Sequence, residues 1–293
     1  MGTKLAQTVT RQGSKRGIAL NGWTLLAVPG LLFLALFFLL PILRMGARSV
    51  TDPSPANYGV FFESPVYAKV LWTTLRTSFV VTVVSLLLGY PYAYVMHHAK
   101  PRAQAALIAL VIVPFWSSLL VRTYAWTVLL QDTGVVNSLL KRLALIDQPL
   151  ALMRNTLGVT VGMSHILVPF MVLPIFATMR RIDVDLIPAA EGLGARPFAA
   201  FRRVFLPLSL PGVFAGCLLV FVLALGFYIT PALLGNPQNA MFSELVVNMV
   251  SERLEFGVGS ALAMTLLAVT LVLLWVGSRF VRVSEALGYR EDR

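Results

Sequence analysis

The chain has 293 residues, of which 57% are hydrophobic and 13% are charged. A water-soluble domain of this length needs more charge on its surface, so the composition excludes an ordinary soluble enzyme and predicts a protein that faces lipid. The one cysteine, Cys217, excludes a disulfide framework and a CxxC metal site, and we predict no metal site. The net charge of +11 does not predict nucleic-acid binding, because the basic residues form no stripe with interleaved aromatics.

The N-terminal segment begins with scattered basic residues and then becomes apolar. Lys4, Arg11, Lys15 and Arg16 precede an apolar stretch over 23–43. That stretch is too long for the apolar part of a secretory signal, so we interpret it as a retained membrane span behind a cytoplasmic tail, residues 1–22.

Six stretches are long and apolar enough to cross a hydrocarbon core about 30 Å thick. The predicted spans are 23–43, 72–96, 104–126, 157–179, 208–232 and 258–281. Together they predict an all-α integral membrane protein, with a transmembrane domain over 23–281 and a cytoplasmic C-terminal tail over 282–293.

The distribution of charge predicts the orientation. With an even number of spans and both termini inside, most of the lysines and arginines fall on the cytoplasmic side, as the positive-inside rule requires. Most of the net charge therefore reflects topology. Residues 180–207 become the longest cytoplasmic connection, and residues 134–141, with apolar residues at helical spacing, are predicted to lie along the opposite membrane surface.

The connection over 180–207 predicts a helix–turn–helix elbow outside the bilayer. Asp183 and Asp185 are candidate helix caps, and Pro188 suits a first helical turn. Gly192 and Gly194 are expected to end that helix before a second one begins.

Side chains in this elbow could receive a partner protein. Small alanines permit close approach, phenylalanines supply apolar anchors and arginines supply charge. These residues are Ala189, Ala190, Phe198, Phe201, Arg196, Arg202 and Arg203. An ordinary basic loop is the alternative interpretation.

The order Ala-Ala-x3-Gly-x9-apolar-x-Leu-Pro, met by Ala189, Ala190, Gly194, Val204, Leu206 and Pro207, resembles the EAA loop of ABC importer permeases. The resemblance implies a type I ABC importer permease, with six transmembrane helices and a cytoplasmic coupling helix that docks on a separate ATPase. One departure is that Pro188 stands where the motif has glutamate, while an acid follows at Glu191. The implied coupling residues are Pro188, Ala189, Ala190, Glu191, Gly194, Ala195, Arg196, Phe198, Phe201, Arg202, Leu206 and Pro207.

Further stretches resemble spermidine/putrescine-type permeases, specifically the first of their two permease subunits. They begin at Gly89, Pro114, Val168 and Pro231. The resemblance implies a bacterial inner-membrane protein that performs no covalent chemistry and carries a polyamine, with opines, amino-acid derivatives or phosphonates as alternative cargo. The implied partners are a homologous second permease, a periplasmic binding protein and an ATPase dimer, which holds the ATP and Mg; this chain itself binds no cofactor.

The predicted spans contain no Asp or Glu away from their ends. This argues against the main alternative class, a secondary transporter coupled to protons or sodium. Candidate residues for a substrate pathway are aromatic residues, whose faces attract cations, and one arginine: Trp116, Tyr124, Trp126, Phe227, Tyr228 and Arg122. The alternatives are interfacial or core packing for the aromatics and a membrane-surface anchor for Arg122. Glu244 and Glu252, on the third outer segment, are expected to be solvated loop charges rather than contacts of cargo or a binding protein.

Overall fold

The computed structural model describes residues 22–288, and side chains within residues 28–279. Over this range every regular element is a helix. The α-helices are α1 (Gly22–Leu34), α2 (Leu40–Thr51), α3 (Val60–Glu63), α4 (Pro65–His98), α5 (Pro101–Ile112), α6 (Leu119–Leu130), α7 (Val135–Arg142), α8 (Thr156–Met179), α9 (Leu186–Gly192), α10 (Pro197–Ala200), α11 (Leu206–Leu225), α12 (Ile229–Leu234), α13 (Phe242–Ser251) and α14 (Phe256–Gly288). Short π segments lie at Ala35–Leu39 and Phe201–Phe205, and 3₁₀ turns at Pro55–Tyr58, Val113–Trp116 and Pro237–Asn239.

The number and order of the spans agree with the prediction when one bent pair counts as a span. Five stretches are long and apolar enough to cross a membrane: Val28–Thr51, Pro65–His98, Thr156–Met179, Pro197–Leu225 and Phe256–Arg279. The sixth is the pair Pro101–Trp116 and Leu119–Arg142, bent by 98°. Residues 1–21 of the predicted N-terminal tail lie outside the described residues, and α14 takes in part of the predicted C-terminal tail.

The predicted third span over 104–126 is not a single straight helix, because the helix breaks after Trp116. Pro114 lies in the 3₁₀ turn, and its carbonyl accepts hydrogen bonds from the backbone N–H and the Oγ of Ser117, at 3.2 and 2.7 Å. Ser117 is extended, so the chain leaves the helix there and starts α6 in a new direction.

The fifth span is also displaced from its predicted range of 208–232. The helical stretch begins at Pro197 and ends at Leu225, and Gly226 follows as its C-cap. Residues 229–234 form the separate short helix α12 instead of extending the span. Gly226 and Pro231 are residues that end or interrupt a helix, so this break has a local cause in the sequence.

The core of the second part of the chain, from Arg48 onward, is formed mainly by α4, α8 and α11. Met163, Leu167, Met171 and Ile175 follow one another along α8 and are at most 1% exposed. A smaller apolar cluster around Phe242, Met249 and Leu262 joins α13 and α14 to the start of α4. The spans on either side of the elbow, α8 and α11, therefore belong to one packed unit.

The N-terminal helix forms a unit of its own, which ends at Ala47. Every side chain from Val28 to Leu40 is exposed, and most of them are large and apolar. A helix that is apolar on all its faces suits a lipid environment.

Small residues bring the backbones of α8 and α11 together. A Cβ added at Gly212 would lie 2.6 Å from Thr178 Oγ1 and 2.9 Å from the carbonyl oxygen of Pro174. At Gly216 the added Cβ would lie 3.1 Å from the Met171 carbonyl oxygen. Gly212 and Gly216 are one helical turn apart, so their spacing lets the two helices come into close contact.

Gly212→Val is expected to destabilise the bundle by about 1–3 kcal/mol, because the new side chain must displace the backbone of α8. Gly30→Val is the matched control, since a Cβ at Gly30 meets nothing within 4 Å. Thermal unfolding of both purified variants in detergent measures the difference. Equal midpoints for the two variants would contradict the close packing described for α8 and α11.

Candidate coupling site

The chain between α8 and α11 forms the predicted elbow. Helix α9 occupies Leu186–Gly192, and α10 leads through the π segment Phe201–Phe205 into α11. Asp183 Oδ1 accepts a hydrogen bond from the backbone N–H of Asp185, at 3.0 Å. Asp185 is the N-cap residue, but its side chain makes no capping hydrogen bond. Asp183 stabilises the turn before α9 rather than the helix itself, so neither side chain caps α9 as the sequence suggests.

Gly194 ends α9 in the way its place in the motif predicts. Its φ is +91°, in the left-handed region that residues with a Cβ rarely adopt. The N–H of Gly194 donates to the Glu191 carbonyl at 2.9 Å, and the N–H of Ala195 donates to the Ala190 carbonyl at 3.1 Å. This is a Schellman motif, which reverses the chain and satisfies the last carbonyls of α9.

The elbow presents apolar side chains to its surroundings. Leu193 is 91% exposed, Phe198 73% and Val184 72%. Seven of the predicted coupling residues are also exposed: Pro188, Ala189, Glu191, Gly194, Arg196, Arg202 and, at the start of α11, Pro207. Three others are partly buried, namely Ala190, Ala195 and Leu206. An apolar surface with charged neighbours marks an interaction site. The sequence analysis did not predict Leu193 and Val184 as contact residues. Each is a large apolar residue between polar or small neighbours, a pattern that a packed core does not require and that could have indicated an exposed contact.

An aromatic cluster attaches the far side of the elbow to the end of α4. Phe205, which is 1% exposed, lies edge-on to Tyr94 at 5.3 Å between ring centroids, and His97 lies 5.4 Å from it. Phe201 contacts Tyr94 edge-on at 5.6 Å. We call Tyr94, His97, Phe201 and Phe205 the inner aromatic cluster.

Phe201 therefore packs inward, whereas the sequence suggested a docking anchor like Phe198. The π segment carries one extra residue per turn, and π segments inside helices are frequent at functional sites. A second contact supports the inner aromatic cluster: the hydroxyls of Tyr90 and Ser209 are 3.0 Å apart. The elbow is thus in contact with α4 as well as continuous with α11.

Three of the predicted pathway residues lie in α6, directly after the break in the third span. The guanidinium carbon of Arg122 is 5.9 Å from the Phe115 ring centroid, and Arg122 Nε is buried without a hydrogen-bond partner among the described residues. Trp126 packs against the core, with its ring 5.6 Å from His165. Tyr124 is 66% exposed. The buried hydroxyls of Thr123 and Thr230, 3.2 Å apart, join this region to α12.

The remaining pathway candidates lie in three different surroundings. Trp116 is 84% exposed, and Phe227 packs against the core. Tyr228 lines a cavity of about 460 Å³ between α11, α13 and α14, together with Ser243, Val247 and Thr270. The structure therefore does not gather all six candidates into one site.

Several apolar spans, with an exposed apolar elbow between two packed helices, are typical of one class of protein. These are membrane permeases that a separate protein drives through an elbow outside the bilayer. Comparison with known proteins agrees with this class. The chain is 34% identical over 251 residues to the spermidine/putrescine transport system permease protein PotB of Haemophilus influenzae, covering 85% of this chain and 86% of that one. It is 31% identical over 269 residues to PotB of Escherichia coli K12, covering 90% and 97%.

The chain therefore belongs to the ABC importer permease family that includes PotB. No protein-family model matches it. Another relative is the Escherichia coli inner membrane ABC transporter permease protein YdcU, 34% identical over 241 residues, with 76% of this chain and 71% of that one covered. As a family member the chain is a non-catalytic, multi-pass permease subunit, and the recognition made from the elbow is confirmed.

Solved structures show the same fold. A chain of a bacterial alginate ABC transporter, in complex with an alginate pentasaccharide-bound periplasmic protein, superposes with a TM-score of 0.69 at 18% identity, covering 90% of this chain and 96% of that one. A chain of the MetNI methionine ABC transporter superposes at 0.55 with 16% identity, covering 74% and 95%. The fold is that of the type I ABC importer permeases.

Gly194→Ala is expected to lower transport about fivefold, since a left-handed residue with a Cβ costs about 1–2 kcal/mol and shifts the elbow away from its docking shape. Gly192→Ala is the matched control. A Cβ added at Gly192 or at Gly194 meets no atom within 4 Å, so the two variants differ in that Gly194 has a positive φ. Uptake into proteoliposomes and co-purification of the ATPase are the measurements. Equal loss in both variants would show that the left-handed turn is not what matters.

Proposed function

We propose that this chain is the first permease subunit of an ATP-driven importer for polyamines such as spermidine and putrescine. The supporting observation is the likeness to PotB, which extends over 85–90% of the chain and therefore includes the elbow and the spans on either side of it. The chain lies in the bacterial inner membrane with both termini in the cytoplasm, and the positive-inside distribution of lysine and arginine supports this orientation.

In this proposal the elbow receives force from a separate ATPase dimer, which binds ATP and Mg. The exposed residues Leu193 and Phe198 enter the ATPase surface, and small Ala189 allows its close approach. When nucleotide closes the ATPase dimer, the elbow moves α11 directly and α4 through the inner aromatic cluster. A second, homologous permease completes the pathway, and a periplasmic binding protein delivers cargo to the outer side.

The structure supplies the means for such a movement to reach the outer side. Helix α11 begins at the elbow and ends at Leu225, followed by Gly226, Phe227 and Tyr228. The Oγ of Ser243 donates a hydrogen bond to the Phe227 carbonyl, so α13 is attached to the outer end of α11. Because two ends of one rigid helix move together, rotation at the elbow alters the cavity beside Tyr228.

Cargo is tested by uptake with the chain, its cognate second permease, ATPase and binding protein in proteoliposomes. The ATPase faces the inside of the liposomes, and the binding protein is added outside. Labelled spermidine and putrescine are expected to accumulate inside the liposomes only when ATP is enclosed there. Opines, amino acids and phosphonates are the comparison set. Uptake of an anionic compound from that set, without uptake of either polyamine, would contradict the proposal.

A further inference from the structure

Glu244 has surroundings that no other described acidic side chain has. All the other Asp and Glu residues within residues 28–279 are solvent-exposed: Asp52, Glu63, Asp132, Asp147, Asp183, Asp185, Glu191, Glu252 and Glu255. Glu244 is partly buried. The expectation of a solvated loop charge therefore holds for Glu252 and is wrong for Glu244.

One oxygen of the Glu244 carboxylate has a structural explanation. Glu244 is the third residue of α13, whose N-cap is Met241. The backbone N–H of Met241 donates a hydrogen bond to the carboxylate. A Glu or Gln at this position stabilises a helix start by this bond, and Gln makes it equally well.

The other oxygen has no such explanation. Glu244 Oε2 is buried and has no hydrogen-bond partner among the described residues. A carboxylate has only acceptors, and burial without a donor or a positive charge is unfavourable. Burial also raises the pKa of the Glu244 carboxyl. A cationic donor would compensate the charge best.

Two hydrogen bonds hold the first turn of α13 in place. The backbone N–H of Phe242 donates to Thr74 Oγ1 of α4 at 2.8 Å, and Ser243 Oγ donates to the Phe227 carbonyl after α11. Glu244 is thus fixed to α4 and to the outer end of α11, the two helices that the elbow contacts at their other ends.

The cavity beside α13 suits an alkyl amine. Ser243 and Val247 line it from α13, with Tyr228 and the apolar Leu266 and Leu267 around them. Helix geometry places Glu244 about 100° from Ser243 and about 60° from Val247 around α13, on the flank of the cavity face. Glu244 itself is not a lining residue, but it follows Ser243 directly in α13. Methylene groups can lie along the apolar wall, while the face of the Tyr228 ring attracts an ammonium group.

We propose that Glu244 binds a protonated amine of the cargo as it passes between the outer end of α11 and α13. This inference rests on the proposed polyamine function and adds a specificity-determining residue to it. Glu244 supplies the negative charge that the predicted spans lack, and its attachment to α11 ties its position to the state of the elbow.

The decisive variant is Glu244→Gln, which keeps the side-chain length and the helix-capping bond but removes the charge. Glu252→Gln is the matched control, since Glu252 is an exposed acid at the other end of α13 that accepts a hydrogen bond from Asn248 Nδ2 at 2.6 Å. In proteoliposomes with the complete importer, Glu244→Gln is expected to lower the maximal rate of labelled spermidine uptake about tenfold, as loss of a charge-assisted contact predicts. Glu252→Gln is expected to stay within about twofold of the wild type.

Co-purification of the second permease and the ATPase separates a structural effect from a cargo contact, and Glu244→Gln is expected to retain both. Spermidine uptake by Glu244→Gln at the wild-type rate would overturn this inference alone. Loss of the assembled complex in that variant would also overturn it, because the charge would then serve folding. A wild-type importer that carries no polyamine would instead refute the proposed function, and this inference with it.

Discussion

The close packing of α8 against α11 is the constraint on which the rest of the structure depends. At Gly212 and Gly216 the helix backbones approach so closely that no Cβ can be added without displacing Thr178, Pro174 or Met171. These two helices flank the elbow, so its two attachment points cannot separate. A force applied to the elbow therefore displaces the helices as a unit instead of stretching the chain between them.

The chain offers a continuous route from that elbow to the opposite end of the bundle. The inner aromatic cluster joins the π segment before α11 to the end of α4. At the other end of the same helices, Thr74 of α4 and the Phe227 carbonyl both bond the first turn of α13. The turn that carries Glu244 is thus attached to both helices that the elbow contacts. Packed and hydrogen-bonded groups therefore connect the proposed cargo contact with the proposed motor contact.

The sequence predicted features that local chemistry determines. The helical, membrane-spanning character follows from the apolar runs, and the elbow follows from Pro188, Gly192 and Gly194, whose backbone preferences act within a few residues. The break of the third span could not be placed, because Pro114 is compatible with a kink or a full break and tertiary contacts decide between them. The inward position of Phe201 and the buried oxygen of Glu244 also depend on residues far away in the chain, such as Tyr94 and Thr74, so composition and spacing gave no signal for them.

Site-specific cross-linking from Leu193 tests the central claim most directly, namely that the exposed elbow is where the motor protein engages this chain. A photoreactive residue at Leu193, which is 91% exposed, is compared with one at Leu145, which is 67% exposed and lies in the segment after α7. In the assembled importer, Leu193 is predicted to cross-link to the ATPase in at least one nucleotide state, while Leu145 does not. No cross-link from Leu193 in any nucleotide state, or an equal yield from Leu145, would contradict the account.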